Sequence, residues 1–505
     1  MLFYIETLGC QMNKLDSELV TGLLKNADYQ STSNPCDADV AILNTCSVRE
    51  HAEQKALSRI GYFEYLRKKN SKPALIAMIG CFAQRSPEFI LKKAPFLDIL
   101  CGPNEIHRLI DLIRECQKNV NILCHCEHSE AISSVHTQKS SSLLRRTNGI
   151  FDFTPRNDRK EGIPKRLQKN NPVQAVTDFR KSRGEKNKDD AELESLDLHR
   201  PVTDSQFHRF VRVQRGCDKF CSYCVVPYVR GPEMSRPVEN IIQEVKRIDQ
   251  TGCKEITLIG QTISSYRYTS HGVSVNLPEL LRLVHDACSI ARIRFITSYP
   301  ADFSIDIFHA MRELSRICPY LHLPAQHGSN RMLSLMNRKY TIEKYMEILD
   351  QGKNLVPALS VSGDFIVGFP TETDHDHNQS VKLLEKVRYK NCFIFKYSVR
   401  PGTLAEKKFT DDIPEKIKSL RHAWLLEVQD SISSQDNQAS LGKTVDVLVE
   451  GVSKKNKSKE KTINQLVGRT VEDKIVIFQG PIELTGQIEK VKITRATSLT
   501  LFGEK

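Results

Sequence analysis

The sequence predicts an α/β chain in three folded pieces: a doubly wound N-terminal domain, a partial parallel (β/α)6 barrel and a small five-stranded β-barrel at the C-terminus. Three observations carry this. Apolar strand-like runs alternate with helix-period segments over residues 1–117 and again over 206–435. Residues 118–205 break that rhythm and are rich in Ser, Lys and Arg, as expected of a basic, mostly disordered insertion or linker. Residues 436–505 turn to short β-rich runs punctuated by Gly442, Gly451, Gly468, Gly480 and Gly486.

In the first piece, Leu2–Leu8, Val40–Leu43, Ala74–Ile79 and Leu97–Leu100 read as strands. Asn13–Lys25, Ser47–Lys69, Pro87–Lys93 and Asn104–Cys116 read as the helices between them. Three of these strands run into a cysteine: Cys10, Cys46 and Cys81, spaced about 35 residues apart. Ligands of open α/β sheets sit at the carboxyl ends of strands, so these three can converge on one site. A lone cysteine there would be read as packing, since cysteine is often buried. Three at equivalent positions favour a three-cysteine iron–sulfur cluster.

In the second piece, strands are expected at Phe210–Gln214, Glu255–Ile259, Ile293–Thr297, Tyr320–Leu323, Val361–Val367 and Cys392–Tyr397. Helical patterns separate them, and Ile413–Gln438, with the single Trp424, closes the side. After the first strand comes Gly216-Cys217-Asp218-Lys219-Phe220-Cys221-Ser222-Tyr223-Cys224, a C-x3-C-x2-C loop on the face where barrels place their chemistry. Three thiolates can hold three irons of a [4Fe–4S] cube and leave the fourth iron open to a small molecule. Structural zinc wants four closed ligands. The next Cys or His after Cys224 is Cys253, so the cluster is favoured. The Gly363–Pro370 run ends a strand in a glycine turn; close approach of backbone to a ligand and a plain strand-to-helix turn explain it equally.

The last piece shows β-rich runs at Thr444–Glu450, Thr462–Arg469, Lys474–Phe478, Leu484–Ile488 and Leu499–Phe502, as in an oligonucleotide-binding barrel. The Lys454–Lys461 tip suits phosphate contact and equally a solvated loop. The net charge of +12 is weak evidence for a nucleic-acid partner. Residues 136–188 alone hold 14 Lys/Arg against 5 Asp/Glu. Fifteen cysteines in 505 residues are too sparse for a secreted disulfide scaffold and fit reduced thiols free to bind metal. No basic, apolar leader and no apolar run of membrane length is present, so a cytoplasmic location without a membrane is expected. Cys124-His125-Cys126-Glu127-His128 resembles a metal site in composition only.

With these motifs in order, the chain resembles the methylthiotransferase family of radical S-adenosylmethionine enzymes. The resemblance is carried by Glu6-Thr7-Leu8-Gly9-Cys10-Gln11-Met12-Asn13, Asn44-Thr45-Cys46-Ser47-Val48-Arg49-Glu50, Gln214 through Tyr228, His322-Leu323-Pro324 and Tyr397 through Thr403. It covers everything except about residues 118–205. The best match is to the members that methylthiolate carbon 2 of N(6)-isopentenyladenosine beside the tRNA anticodon. The resemblance implies that Cys217, Cys221 and Cys224 hold the cluster that cleaves S-adenosylmethionine. Cys10, Cys46 and Cys81 would hold an auxiliary [4Fe–4S] cluster that supplies or carries sulfur. It makes Asp364 and Gly368 cofactor contacts and the last piece an RNA-binding TRAM domain. It further implies tRNA as substrate, a flavodoxin or ferredoxin as electron donor, and a monomer. Related alternatives are threonylcarbamoyl-adenosine in tRNA and a ribosomal-protein aspartate as substrates; a different class of alternative is a non-catalytic RNA-binding iron–sulfur protein. The chain departs from the family pattern at Thr262, Tyr299 and His327.

Overall fold

The computed structural model describes residues 1–47, 50–127, 173–176, 188–198, 200, 207–453 and 464–505. The N-terminal sheet has six parallel strands, β1 (Leu2–Leu8), β2 (Gln30–Ser31), β3 (Val40–Thr45), β4 (Leu75–Gly80), β5 (Ile99–Cys101) and β6 (Val173–Ala175). Their order is β2-β1-β3-β4-β5-β6, so the chain reverses direction across the sheet between β1 and β3. Every residue of β3 and β4 is buried, the mark of central parallel strands covered on both faces. Val40, Ile42 and Ile79 pack with Leu15 and Leu19 on one face. Ala41, Leu43, Ile76 and Met78 pack with Ile60, Phe63 and Ile90 on the other.

Two pieces of the stretch expected to be an insertion belong to this fold. β6 pairs with β5 from Ile99↔Val173 to Cys101↔Ala175. The Lys188–Leu198 helix places Leu193 in the same core as Leu15. A three-residue strand is too short to show any periodicity, which is why sequence patterning passes over it.

The middle of the chain contains six parallel strands, β7 (His208–Arg212), β8 (Glu255–Ile259), β9 (Arg292–Ile296), β10 (Tyr320–His322), β11 (Ser360–Val367) and β12 (Asn391–Lys396). They form two sheets, β9-β8-β7 and β10-β11-β12. These are stitched together where Cys318 N donates to Ile293 O (2.9 Å) and Ser298 N to His322 O (3.0 Å). Leu258, Phe295, Leu321 and Phe365 face the surrounding helices in one continuous core. Glu255, Arg294 and Tyr320 alternate to the inside. The result is the expected half-barrel.

The tail is a closed barrel of β13 (Thr444–Val452), β14 (Asn464–Arg469), β15 (Ile475–Gly480), β16 (Ile488–Ala496) and β17 (Thr500–Glu504), in the order β13-β14-β15-β17-β16. The fourth strand, expected at Leu484–Ile488, begins where that run ends. Ile482–Leu484 is one 3-10 turn, and the alternation of Val491 and Ile493 (buried) with Lys490 and Lys492 defines the strand. The Lys454–Lys461 tip lies outside the described residues. This barrel docks on the amino ends of the half-barrel strands. Arg292 donates to the carbonyls of Arg469 (2.8 Å) and Asp446 (2.9 Å), Arg294 to those of Val471 and Thr470 (both 2.7 Å), and Lys390 pairs with Asp473 (2.8 Å).

A buried ionic network joins the first two domains. Asp16, on the Gln11–Asn26 helix, accepts from Arg212 (3.3 Å) and Arg230 (2.7 Å). Asp197 accepts from Arg212 (2.7 Å) and Arg215 (2.8 Å). Glu244 takes Arg200 (3.0 Å) and Arg236 (2.8 Å). Burial opposes ionisation of Asp197, but the guanidiniums of Arg212, Arg236 and Arg215 hold its carboxyl well below the usual carboxylate range. Asp197→Ala removes one carboxylate from buried Arg212 and Arg236 and the ion-pair partner of Arg215. It is expected to cost about 3–5 kcal/mol, seen as a lower urea midpoint and earlier thermal unfolding, with Asp197→Asn milder.

Candidate metal centres

The Cys217 loop leaves the carboxyl end of β7 through a turn that only glycine fits. Gly216 has φ +67°, and a Cβ there would run into the Pro232 carbonyl oxygen. Cys217 N donates to Gly231 O (3.1 Å) and Cys224 N to Cys221 O (3.0 Å), folding the three thiols toward one another. Phe220, at φ +47°, is held by Asn337 Nδ2, which donates to its carbonyl (2.8 Å). Cys217 and Cys221 are buried and Cys224 is half-buried. Burial pushes the Cys217 thiol up to about 11 and Cys224 well up, each raised further by its neighbouring cysteines. The metal-free Cys217 and Cys224 thiols therefore stay protonated, and a cation must supply the drive to ionise them. Arg338 donates to Cys221 Sγ (3.2 Å) while lying over the Tyr299 ring at 4.3 Å.

The second set sits at the carboxyl ends of β1, β3 and β4, astride the point where strand order reverses. Cys10 caps the Gln11–Asn26 helix and Cys81 opens the Cys81–Arg85 helix, so both thiols meet helix N-termini, which favour thiolate. Cys10 is exposed; Cys46 and Cys81 are buried. A hydrogen bond with Cys46 lowers the Cys10 thiol to about 6, helped by the charge of Arg230 and the Asn13 and Met12 amides. Burial raises the Cys81 thiol, and Arg230 counters it. Asn13 Nδ2 donates to Asn44 Oδ1 (2.9 Å) and Thr45 O (3.0 Å), and Asn44 returns a bond to Asn13 O (2.9 Å). This buried amide pair locks the cysteine-bearing ends of β1 and β3 together. Gly80 has φ +97°, and a Cβ there would lie 2.5 Å from both Asn44 Oδ1 and Thr45 O, so only glycine fits.

The two sets adjoin. Cys81 packs against Val225, which directly follows Cys224, and against Val229 one turn further on. Arg230, from the same segment, donates through Nε to Cys81 Sγ (3.3 Å). Among the described residues no three His, Cys, Asp or Glu side chains close around a single metal ion. A four-iron cube holds its thiolates farther apart than one zinc does. The Cys124–His128 run falls outside the residues whose side chains are described.

Asp364 lies on β11 facing the half-barrel interior, with its carboxylate 3.4 Å from His322 Nε2. Gly368 turns the chain after β11 at φ +69°, its N–H bound by Glu372 and its bare Cα packed on Lys418. Of the departures from the family pattern, Thr262 donates to Glu233 (3.0 Å) beside Cys217, and Tyr299 carries Arg338. His327 is fully buried against Glu372 (2.9 Å). Arg230, Arg338, Asp16 and the Asn13–Asn44 pair escape sequence reasoning. Their positions carry no spacing signal, and only the fold brings them to the thiols.

Residues 2–102 match the Uncharacterized protein family UPF0004, residues 211–384 the Radical SAM superfamily and residues 438–505 the TRAM domain. The chain is 39% identical over 502 residues to a tRNA-2-methylthio-N(6)-dimethylallyladenosine synthase of Rhodopirellula baltica, covering 99% of this chain and 94% of that one. It is 37% identical over 505 residues to the protein of the same description in Clostridium botulinum, covering 100% and 96%. A solved radical S-adenosylmethionine methyltransferase, TsrM of Kitasatospora setae, is 12% identical with a TM-score of 0.48 over 80% of this chain and 77% of that one, too distant to bear on chemistry.

Gly216→Ala is expected to halve the iron and acid-labile sulfide bound per anaerobically purified chain, by emptying the Cys217 set alone. Gly252→Ala, also at positive φ (+73°) but in open space, should leave iron content unchanged.

Proposed function

The chain belongs to the family of tRNA-2-methylthio-N(6)-dimethylallyladenosine synthases, and we propose that it adds a methylthio group to carbon 2 of N(6)-isopentenyladenosine next to the tRNA anticodon by a radical mechanism. The observation that carries this reading is identity over the whole chain to relatives of that name, in a fold that sets two three-cysteine groups side by side. We assign Cys217, Cys221 and Cys224 to one [4Fe–4S] cluster and Cys10, Cys46 and Cys81 to a second. When bound at the first set, a cluster with an open iron supplies the electron that cleaves S-adenosylmethionine to a 5′-deoxyadenosyl radical.

The chain's own residues then do three things. Gly216 and Asn337 hold the Cys217 loop in its turn, so its thiols stay grouped. Arg338 offsets the negative charge that thiolate ligation brings to Cys221. The Val225–Arg230 segment packs the second cysteine set against the first, which keeps the sulfur source beside the radical. Asp364 faces the half-barrel interior and is assigned to the bound cofactor, with Gly368 shaping the turn after it. Residues 1–117, 206–435 and 436–505 act as the sulfur-supplying, radical-generating and tRNA-binding parts, with 118–205 between the first two. The enzyme works as a cytoplasmic monomer that receives electrons from a flavodoxin or ferredoxin.

The test is nucleoside mass spectrometry of tRNA from a bacterium lacking its own synthase and expressing either this chain or Cys217→Ala. 2-Methylthio-isopentenyladenosine is expected only with the unmodified chain. Isopentenyladenosine alone, with both clusters loaded, overturns the assigned substrate and directs the search to threonylcarbamoyl-adenosine or a ribosomal-protein aspartate.

A further inference from the structure

Among the described residues each cysteine set has one arginine on one sulfur, but the two arginines have different origins. Arg338, which serves Cys221, belongs to the same domain as Cys221. Arg230, which serves Cys81, comes from the other domain. Its guanidinium is buried and divided between two partners: Nε donates to Cys81 Sγ (3.3 Å) and the terminal nitrogen to Asp16 (2.7 Å). Asp16 is shared in turn with Arg212 on β7 (3.3 Å). The backbone around Arg230 is equally tied down. Gly231 O accepts from Cys217 N (3.1 Å), and Arg230 O accepts from Asn104 Nδ2 (3.4 Å). Arg230 and Gly231 together thus connect the Cys217 loop, the domain interface and a sulfur of the second set.

We propose that Arg230 is a positioning residue that sets the reduction potential of the cluster at Cys10, Cys46 and Cys81, and that Asp16 attenuates it. This rests on the reading that those three cysteines bind a cluster. Reduction adds one negative charge to a cluster, and hydrogen bonds and positive charge at its sulfurs favour the reduced form. The guanidinium stands in a low-dielectric interface where water does not screen it. Its effect exists only while the domains are docked, so the electronic state of the second site depends on its contact with the first. Asp16, bound to the neighbouring terminal nitrogen of the same guanidinium, cancels part of that charge. The two residues therefore act in opposite directions, which a merely structural pair would not do.

The measurement is a potentiometric titration, followed by electron paramagnetic resonance, of the reconstituted full-length chain carrying Cys217→Ala, Cys221→Ala and Cys224→Ala, so that only the second cluster contributes. In that background Arg230→Gln is expected to move the half-reduction point to more negative potential, Arg230→Lys to move it less, and Asp16→Asn to move it to more positive potential. An unmoved potential in Arg230→Gln with the cluster loaded, or shifts of the same sign in Arg230→Gln and Asp16→Asn, overturns the proposal. If Arg230→Gln loses the cluster, Asp16→Asn decides: a positive shift supports the proposal and no shift overturns it. If the unsubstituted background binds no iron, it is the cluster assignment to Cys10, Cys46 and Cys81 that fails, not the role given to Arg230.

Discussion

Asp16 is the point on which the arrangement of this chain depends. A carboxylate 1% exposed accepts from two arginines of another domain, one on β7 and one beyond Cys224. Such a pairing is not a large source of net stability, because desolvating the ions consumes much of their attraction. What it imposes is geometry. A buried charge cannot be left without its partner, so the N-terminal sheet can meet the half-barrel in very few ways. Asp197 and Glu244 repeat the constraint with Arg212, Arg215, Arg236 and Arg200. The interface is thereby fixed by ion pairing together with apolar contact, since Ile259 of the half-barrel is buried in the same core as Leu15 and Leu19, with Phe210 and Ile296 packed against it.

That geometry brings two carboxyl-end faces together. Parallel sheets present side chains after their strands, and an order reversal opens a crevice there. In the N-terminal domain Cys10 and Cys46 flank that crevice and Cys81 sits one strand further along. In the half-barrel the Cys217 loop leaves the equivalent face. The ionic network turns the two faces toward each other until Cys81 rests on Val225. The closed tail barrel occupies the opposite, amino-end side of the half-barrel, where Arg292 and Arg294 bind its carbonyl groups. It thus leaves the cysteine-bearing face uncovered by its own β-strands.

Much of this was legible from the sequence. The cysteine positions could be read because each follows an apolar run, and a run that long and apolar has to be a buried strand. The six half-barrel strands were legible within one or two residues for the same reason. β6 was not, since Val173-Gln174-Ala175 is only three residues long and its strand character comes from pairing with β5. The fourth tail strand was misplaced because the apolar residues Leu484 and Ile488 suggested a strand that in fact starts only at Ile488.

By itself the sequence determined the class of each domain and the strand that precedes each cysteine set. Both are local properties, set by hydrophobic period. Only the tertiary structure decided that the two cysteine sets adjoin, that Asn13 and Asn44 lock one of them, and that Arg230 reaches Cys81 across 149 positions of chain. An arginine carries no pattern that names its partner. Its partner is chosen by which carboxylate or sulfur is left in the same dry interface once the sheets have packed.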